Sequence, residues 1–328
     1  MTRVPDSIRF GTLLSGIYNH KRDFDRAAKE VSSGRRVFGP SDSVNYPQIV
    51  SHEAKLQDIS SFKSRIESLR GYFAFVEETL AQANNVIVRA KEIAVQAANE
   101  TLDPAARESL SQEVFALRDH LVRLANSTYQ GQYIWGGADS DDPPFDALTY
   151  TVPASGPASQ RYVFDAEPGT NVFNKVKVSY DFEVTVGAHG GDTFSRAIGA
   201  LERLGRALAG YSTNPPTGLP DGTGSAYSFP NDYPLQTQAI RQAIDLLEEA
   251  RANDIANQRT IVGSKMTRLD IAEKLITMDK DASLEFLAKE RDSDIAEAAT
   301  RLTQSEQLLQ ASYQVLSRIS RLSLIDFI

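Results

Sequence analysis

The chain has 328 residues, enough for two or three domains and a sizeable core. Its formal charge is −8, from 35 Lys and Arg against 43 Asp and Glu, so no basic excess exists to neutralise a nucleic-acid backbone and that partner class is set aside. The absence of cysteine excludes disulfides, thiolate metal sites and cysteine nucleophiles together, and no apolar run is long enough to enter and cross a bilayer, so no membrane insertion is expected.

The opening residues Met1–Ser7 carry neither an apolar stretch nor a small-residue cleavage site, so no cleaved Sec-type signal peptide is expected. The first predicted helix follows, with Phe10, Leu14, Ile17, Lys21, Phe24, Ala28 and Val31 at alternating steps of four and three, interrupted only by Lys21. It stops at Ser32-Ser33-Gly34, where glycine suits a left-handed position after the last turn. Next, Ile49, His52, Leu56, Ile59, Phe62, Ile66, Leu69, Phe73, Val76, Leu80, Ala83, Ile87, Ala90, Ala94 and Ala97 keep one face for about 50 residues, or roughly 75 Å of continuous helix. Asp103-Pro104 is an N-cap followed by proline at the first helical position, and it restarts a helix through Leu110, Val114, Leu117, Leu121 and Leu124. A short link after a long helix predicts an antiparallel pair.

From Gln130 the pattern changes. Gly131, Gly136, Gly137, Pro143 and Pro144 break helical periodicity, and Tyr162–Phe164, Val176–Val178 and Phe182–Val186 read as short strands, so residues 130–190 are expected to form a small β-containing module. A helix over about 193–209 with Phe194, Ile198, Leu201 and Leu208 inward precedes a Gly-, Pro-, Ser- and Thr-rich stretch, 210–234, of loop composition. Helical periodicity resumes at Leu235 with Ile240, Ile244, Leu247, Ile255, Val262, Leu269 and Ile276, and persists to the carboxyl end. The last helix carries Ile295, Ala298, Leu302, Ser305, Leu309, Ser312, Leu316 and Ile319, with a second apolar row through Leu308, Ala311, Val315 and Leu322. Two rows call for partners on more than one side. From Leu302 to Ile328 the only charges are Glu306, Arg318, Arg321 and Asp326, fewer than a solvated helix face carries. One reading has both termini packing only within their own chain; the other has the outer face covered by neighbouring subunits in a ring or helical filament.

Catalytic constellations do not emerge. His20, His52, His120 and His189 lie far apart and none has metal-ligand spacing. His189-Gly190-Gly191 has no Gly-x-Ser-x-Gly elbow to accompany it, and Ser60-x-x-Lys63 lies inside the long helical stripe. Asp139, Asp141, Asp142 and Asp146 lack the glycine and distal glutamate of an EF-hand loop, so a capping or turn role is the expectation. No enzyme activity and no cofactor are expected.

Several segments, taken in order, resemble one family. Ser33-Gly34-Arg35-Arg36-Val37 with Pro40-Ser41-Asp42, Gly131-Gln132-Tyr133-Ile134-Trp135-Gly136-Gly137 with Pro143-Pro144-Phe145, Asp292–Ala298, Leu309-Gln310-Ala311-Ser312, and the end Ser323–Ile328 are similar to bacterial flagellins and their relatives at the hook–filament junction. Departures are Ser43, where a second acidic residue is usual, Trp135 for a usual Phe, and Pro5 near the start. The resemblance implies a mainly α, flagellin-like fold with a small β-containing insert. Residues 1–40 with 292–328 would form an inner coiled-coil assembly domain, 41–130 with 235–291 an antiparallel helical rod, and 131–234 an outer module. It further implies a structural subunit of the flagellum, either joining hook to filament or forming the filament itself. Such a subunit is exported unfolded by the flagellar type III apparatus, held beforehand by a cytoplasmic chaperone, and docks with copies of itself, hook-associated protein and flagellin outside the cell. Phe10, Leu14, Ile17, Phe24 and Val31 would meet Leu302, Leu309, Leu316 and Ile319 in assembly, with Arg35, Arg36 and Asp42 at the connection between domains. The lack of cysteines fits a chain that is threaded. The alternative of another class is an enzyme or ligand-binding protein with a site in 131–234.

Overall fold

Helices dominate the chain from end to end, and the strands come only in pairs between them. The computed structural model describes residues 6–98, 103–137, 141–149, 160–164, 174–213 and 224–325, with backbone alone described for 6–10, 147–149, 160–164 and 320–325. In chain order these are α1 (Asp6–Ser33), α2 (Tyr46–Ala97), α3 (Pro104–Ala125), β1 (Thr128–Tyr129), β2 (Gln132–Tyr133), β3 (Phe145–Thr149), β4 (Gln160–Phe164), β5 (Asn174–Lys177), β6 (Glu183–Val186), α4 (Gly190–Leu208), α5 (Tyr233–Glu249), a π-helical segment (Ala250–Ile255), α6 (Ala256–Glu290) and α7 (Ile295–Ile325). The chain divides into two units, residues 1–61 with 276–328 and residues 62–275, and the division falls inside α2 and α6.

The first unit is made from both ends of the chain. Its α1 packs on α7. A small core of Val37, Ile49 and Leu287, flanked by Tyr46, Leu56 and Phe286, joins the start of α2 to the end of α6. His52, the polar member of the α2 stripe, is accommodated because Ser283 lies opposite: its Nδ1 is 3.1 Å from Ser283 Oγ and its ring stacks on Phe286 at 4.3 Å. A polar pair inside an apolar seam fixes register at some cost in stability, because a slipped helix would strand both groups.

In the second unit the predicted α2 stripe is buried at every position from Phe62 to Ala97. Asp103 caps α3, its side chain accepting from the Ala106 N–H at 2.7 Å with proline at the first turn. The three strand pairs β1–β2, β3–β4 and β5–β6 are all antiparallel. Gln130 and Gly131, both at positive φ (54° and 85°), make the two-residue turn between β1 and β2, a geometry that matches the twist of the paired strands. Just beyond, Trp135 is fully buried edge-on against Phe194 at 4.8 Å. Asn126 holds the start of β3 by bonding both the N–H and the C=O of Phe145 at 2.9 Å.

Two details differ from the sequence reading. Helix α4 lies between α3 and α5 and is buried all round from Ala197 to Leu208, Glu202, Arg203 and Arg206 included, whereas the sequence reading named only Phe194, Ile198, Leu201 and Leu208 as inward. Glu202 is accommodated inside by an ion pair with Arg118 of α3, which also bonds Asp119 at 2.8 Å, while Arg203 donates to Thr213 Oγ1 and Arg206 to the Ser212 carbonyl, each at 3.4 Å. Burial pushes the Glu202 carboxyl up, opposed by Arg118, and the acidic partners keep Arg118 protonated. In α5, Ala243 rather than Ile244 is the fully buried residue. The π-helical segment then adds a residue, so that Leu247 and Ile255, eight apart, both point inward.

Candidate functional site

The features the sequence marked for assembly lie in the first unit, where the chain ends meet. Arg301 of α7 and Ser293 just before it both reach Glu30 near the end of α1, so the two helices run antiparallel. On α1, Ile17 is buried and Leu14, Phe24 and Val31 are half-buried. The seam departs from the predicted stripe in one respect: Lys21 is exposed, while Leu13 and His20 are half-buried and Ala27 buried, so the second position of the seven-residue repeat is held by Leu13, His20 and Ala27. On α7, Ala298 and Ser305 are buried and Leu302, Leu309, Ser312 and Leu316 half-buried, in the alternation of four and three that the sequence shows. Ile319 does not follow them and is 40% exposed. Antiparallel pairing puts it level with the first turns of α1, at Phe10, whose side chain lies outside the described residues. Beside the seam of α7 runs an uncovered row, Leu308, Val315 and Ile319, while Ile295 and Tyr313 are exposed on another face of the helix and Tyr18 is exposed on α1. Leu322 of the predicted second row lies beyond the described side chains.

The connection from α1 to α2 is a clasp. Gly34 adopts φ +67° and ends α1, its N–H bonded to the Glu30 carbonyl. Arg35 forms an isolated antiparallel bridge with Asp292, and its guanidinium is 3.3 Å from Glu53. Arg36 caps the end of α6: its backbone N–H donates to the Arg291 carbonyl, and its side chain to the carbonyls of Lys289 at 2.5 Å and Glu290 at 3.3 Å. A cation suits that position, since unsatisfied carbonyls and the negative end of the helix dipole converge there. Asp42 gathers the loop by accepting from the N–H groups of Phe38 (2.9 Å) and Gly39 (3.2 Å) and from Arg26 (3.0 Å). The Phe38 amide and the Arg26 charge hold its carboxyl below the usual range. The sequence reading missed Asn45, which donates to Glu290 at 3.0 Å, Arg291, which pairs with Glu53 at 2.8 Å, and the buried Glu30. No sequence pattern marks these, because each partner is some 240 to 270 residues away. Val44 stands 97% exposed on this clasped loop.

Within the second unit, a cleft of about 470 Å³ is lined by Asp192, Ser195, Arg196, Arg203 and Asp254, with Ala200 and Leu246. Its charged residues have partners in the fold: Arg196 pairs with Asp254 at 3.4 Å and with Glu249 at 3.5 Å, Asp192 lies 3.3 Å from His189, and Arg203 donates to Thr213 Oγ1 at 3.4 Å. Ser195 has no histidine beside it in the lining. Among the described residues no three His, Asp or Glu side chains converge to hold a metal ion, and no helix is long and apolar enough to cross a membrane. Asp141, Asp142 and Asp146 are exposed, and Asp139 lies outside the described residues.

Comparison with known proteins places these features. Residues 11–139 match the bacterial flagellin N-terminal helical region, and residues 244–328 match the bacterial flagellin C-terminal helical region. Flagellar hook-associated protein 3 of Escherichia coli is 25% identical over 323 residues, covering 95% of each chain. The same-named protein of Salmonella typhimurium is 31% identical over 152 residues, 45% of this chain and about half, 47%, of that relative. The crystal structure of FlgL from Xanthomonas campestris superposes with a TM-score of 0.56 at 15% identity, covering 72% of this chain and 99% of that one. With flagellin helical regions at both ends, paired terminal helices and a strand-bearing middle, the chain belongs to the bacterial flagellin family.

Proposed function

We propose that this chain is the flagellar subunit that joins hook to filament, working by docking of its terminal helices and not by catalysis. The observation that carries the reading is the α1–α7 pair with one covered seam and one uncovered apolar row, Leu308, Val315 and Ile319, on a helix with few charges. Near-complete alignment with a hook-associated protein supports the junction rather than the filament position. In this reading Phe10, Leu14, Ile17, Phe24 and Val31 with Leu302, Leu309, Leu316 and Ile319 form the assembly helices, and Arg35, Arg36 and Asp42 set the connection. Residues 1–40 with 292–328 act as the inner domain, 41–130 with 235–291 as the rod and 131–234 as the outer module. Its partners are neighbouring copies, hook-associated protein and flagellin on the flagellum outside the cell. Before export through the type III apparatus, without a cleaved signal peptide, a cytoplasmic chaperone covers the apolar row, since exposed apolar stripes promote aggregation.

Deletion of the gene tests the reading. Intact hooks that carry no filament, with flagellin released to the medium, are the expected phenotype. Hooks bearing attached but shortened filaments would assign the chain to the filament instead, and normal filaments would overturn both.

A further inference from the structure

The seam between α1 and α7 repeats itself. Ile17, Phe24 and Val31 are seven apart, as are His20 and Ala27, and on α7 Ala298, Ser305 and Ser312 interleave with Leu302, Leu309 and Leu316 at the same spacing. Sliding one helix past the other by seven residues, about 10 Å, would therefore match small and apolar positions again. The linker Arg291–Asp294 does not forbid the slide, because the first turn of α7, where Ile295, Ala296 and Glu297 are exposed, can unwind to lengthen it.

One group distinguishes the registers. Glu30 is 5% exposed, yet its Oε1 accepts from Ser293 Oγ at 2.6 Å and from Arg301 Nη2 at 2.8 Å. The backbone reinforces the same alignment, with Ser293 N–H donating to the Gly34 carbonyl at 2.8 Å. A slide of seven residues would leave this carboxylate buried without either donor, and breaking a buried charge pair is strongly unfavourable. We propose that Glu30 is the register lock of the terminal helix pair, the positioning residue that selects one axial alignment of α7 on α1. It thereby sets the height at which the outward row Leu308–Val315–Ile319 is offered to neighbouring copies; that last step rests on the proposed assembly role, whereas the lock itself does not.

The cysteine-free chain makes the register measurable. Spin labels at Asp25→Cys and Gln307→Cys, both exposed positions, report the α1–α7 alignment as a distance distribution in labelled full-length protein assembled onto hooks and diluted with unlabelled chain, where the terminal helices are paired. The chain with native Glu30 should give one narrow distance. Glu30→Leu, which suits an apolar seam, should keep helical circular dichroism but add or shift to a population displaced by about 10 Å along the pair. Glu30→Gln, which still accepts from Ser293 and Arg301, should restore the single distance. An unchanged distribution in Glu30→Leu, a broad one with native Glu30, or equal loss of helicity in both variants would overturn the lock. Bare hooks supplied with the Glu30→Leu protein should carry fewer than one tenth of the normal filaments. A displaced register with normal filament attachment would sever the lock from assembly and count against the docking role, while leaving the lock in place.

Discussion

Gly205 sits where α4 comes closest to α3, and replacing it by alanine sets two effects against each other. A Cβ built there would lie 2.6 Å from Phe115 Cε1 and 2.9 Å from its Cδ1 and Cζ, closer than real contacts allow. Alanine gains about 1 kcal/mol over glycine in a helix interior. Against that, overpacking a filled core costs about 1–3 kcal/mol when the neighbours cannot yield. The Phe115 ring is held under the Arg118 guanidinium at 4.9 Å, and Arg118 is itself fixed by Glu202 and Asp119, so the ring moves only by disturbing a buried ion pair. Strain therefore outweighs propensity, and Gly205→Ala should lose up to about 2 kcal/mol net. Gly263→Ala on α6 is the reference, since a Cβ there meets nothing within 4 Å and should bring a gain of about 0.5–1 kcal/mol. Urea unfolding followed by the emission of Trp135, the one tryptophan, and by circular dichroism at the helical band measures both. Because the clash has one partner, Gly205→Ala and Phe115→Leu together should cost less than the sum of the two by about 1 kcal/mol. A stabilised Gly205→Ala would refute the reasoning.

Three further outcomes are expected. Glu202→Gln takes one carboxylate from the buried Arg118, which keeps Asp119, and should cost about 1–3 kcal/mol, whereas Arg118→Met with Glu202→Leu, which removes both charges of the buried pair, should cost less than Glu202→Gln in the same urea titration. Asp42 has a folded pKa below its ordinary 3.8, so its contribution is present above that value and is lost as pH falls through the folded pKa; the amide resonances of Phe38 and Gly39 should move with an inflection below pH 3.8, and an inflection above it would contradict the clasp. Asp103→Ala removes the cap on the Ala106 N–H and should cost about 1 kcal/mol, read as a lower urea midpoint.

Periodicity made the helices legible, since a stripe that holds one face from Ile49 to Ala97 can only be a helix. The cap at Asp103-Pro104 and the stop at Gly34 gave two of their ends. Of the strands, β4, β5 and β6 were visible as short alternating runs, whereas β1, β2 and β3 were not. What stayed hidden was governed by partners distant in sequence. The burial of Glu202, Arg203 and Arg206 had no local signal, because only the fold brings Arg118 to Glu202. Lys21 seemed to interrupt the α1 seam because the steps of four and three were assigned in the wrong order: His20 and Ala27, not Lys21 and Ala28, take the second position. The site was legible in part: Arg35, Arg36 and Asp42 stood out by family resemblance, while Glu30, Asn45 and Arg291 carry no local signal. Their roles come from closing the two ends of the chain on each other.

The eight-residue step from Leu247 to Ile255 was in the sequence as an irregularity, and its backbone solution has a wider meaning. Downstream, Ile255, Val262, Leu269 and Ile276 keep a strict interval of seven; upstream, Ile240 and Leu247 keep the same interval on a different phase. The π turn is a phase adapter between two ratchets. It lets α5 satisfy its contacts with α4 and lets α6 satisfy its own seam without either rotating to suit the other. An extra residue gained here by insertion would thus be absorbed as a local widening of the helix instead of propagating as a turn of every side chain beyond it.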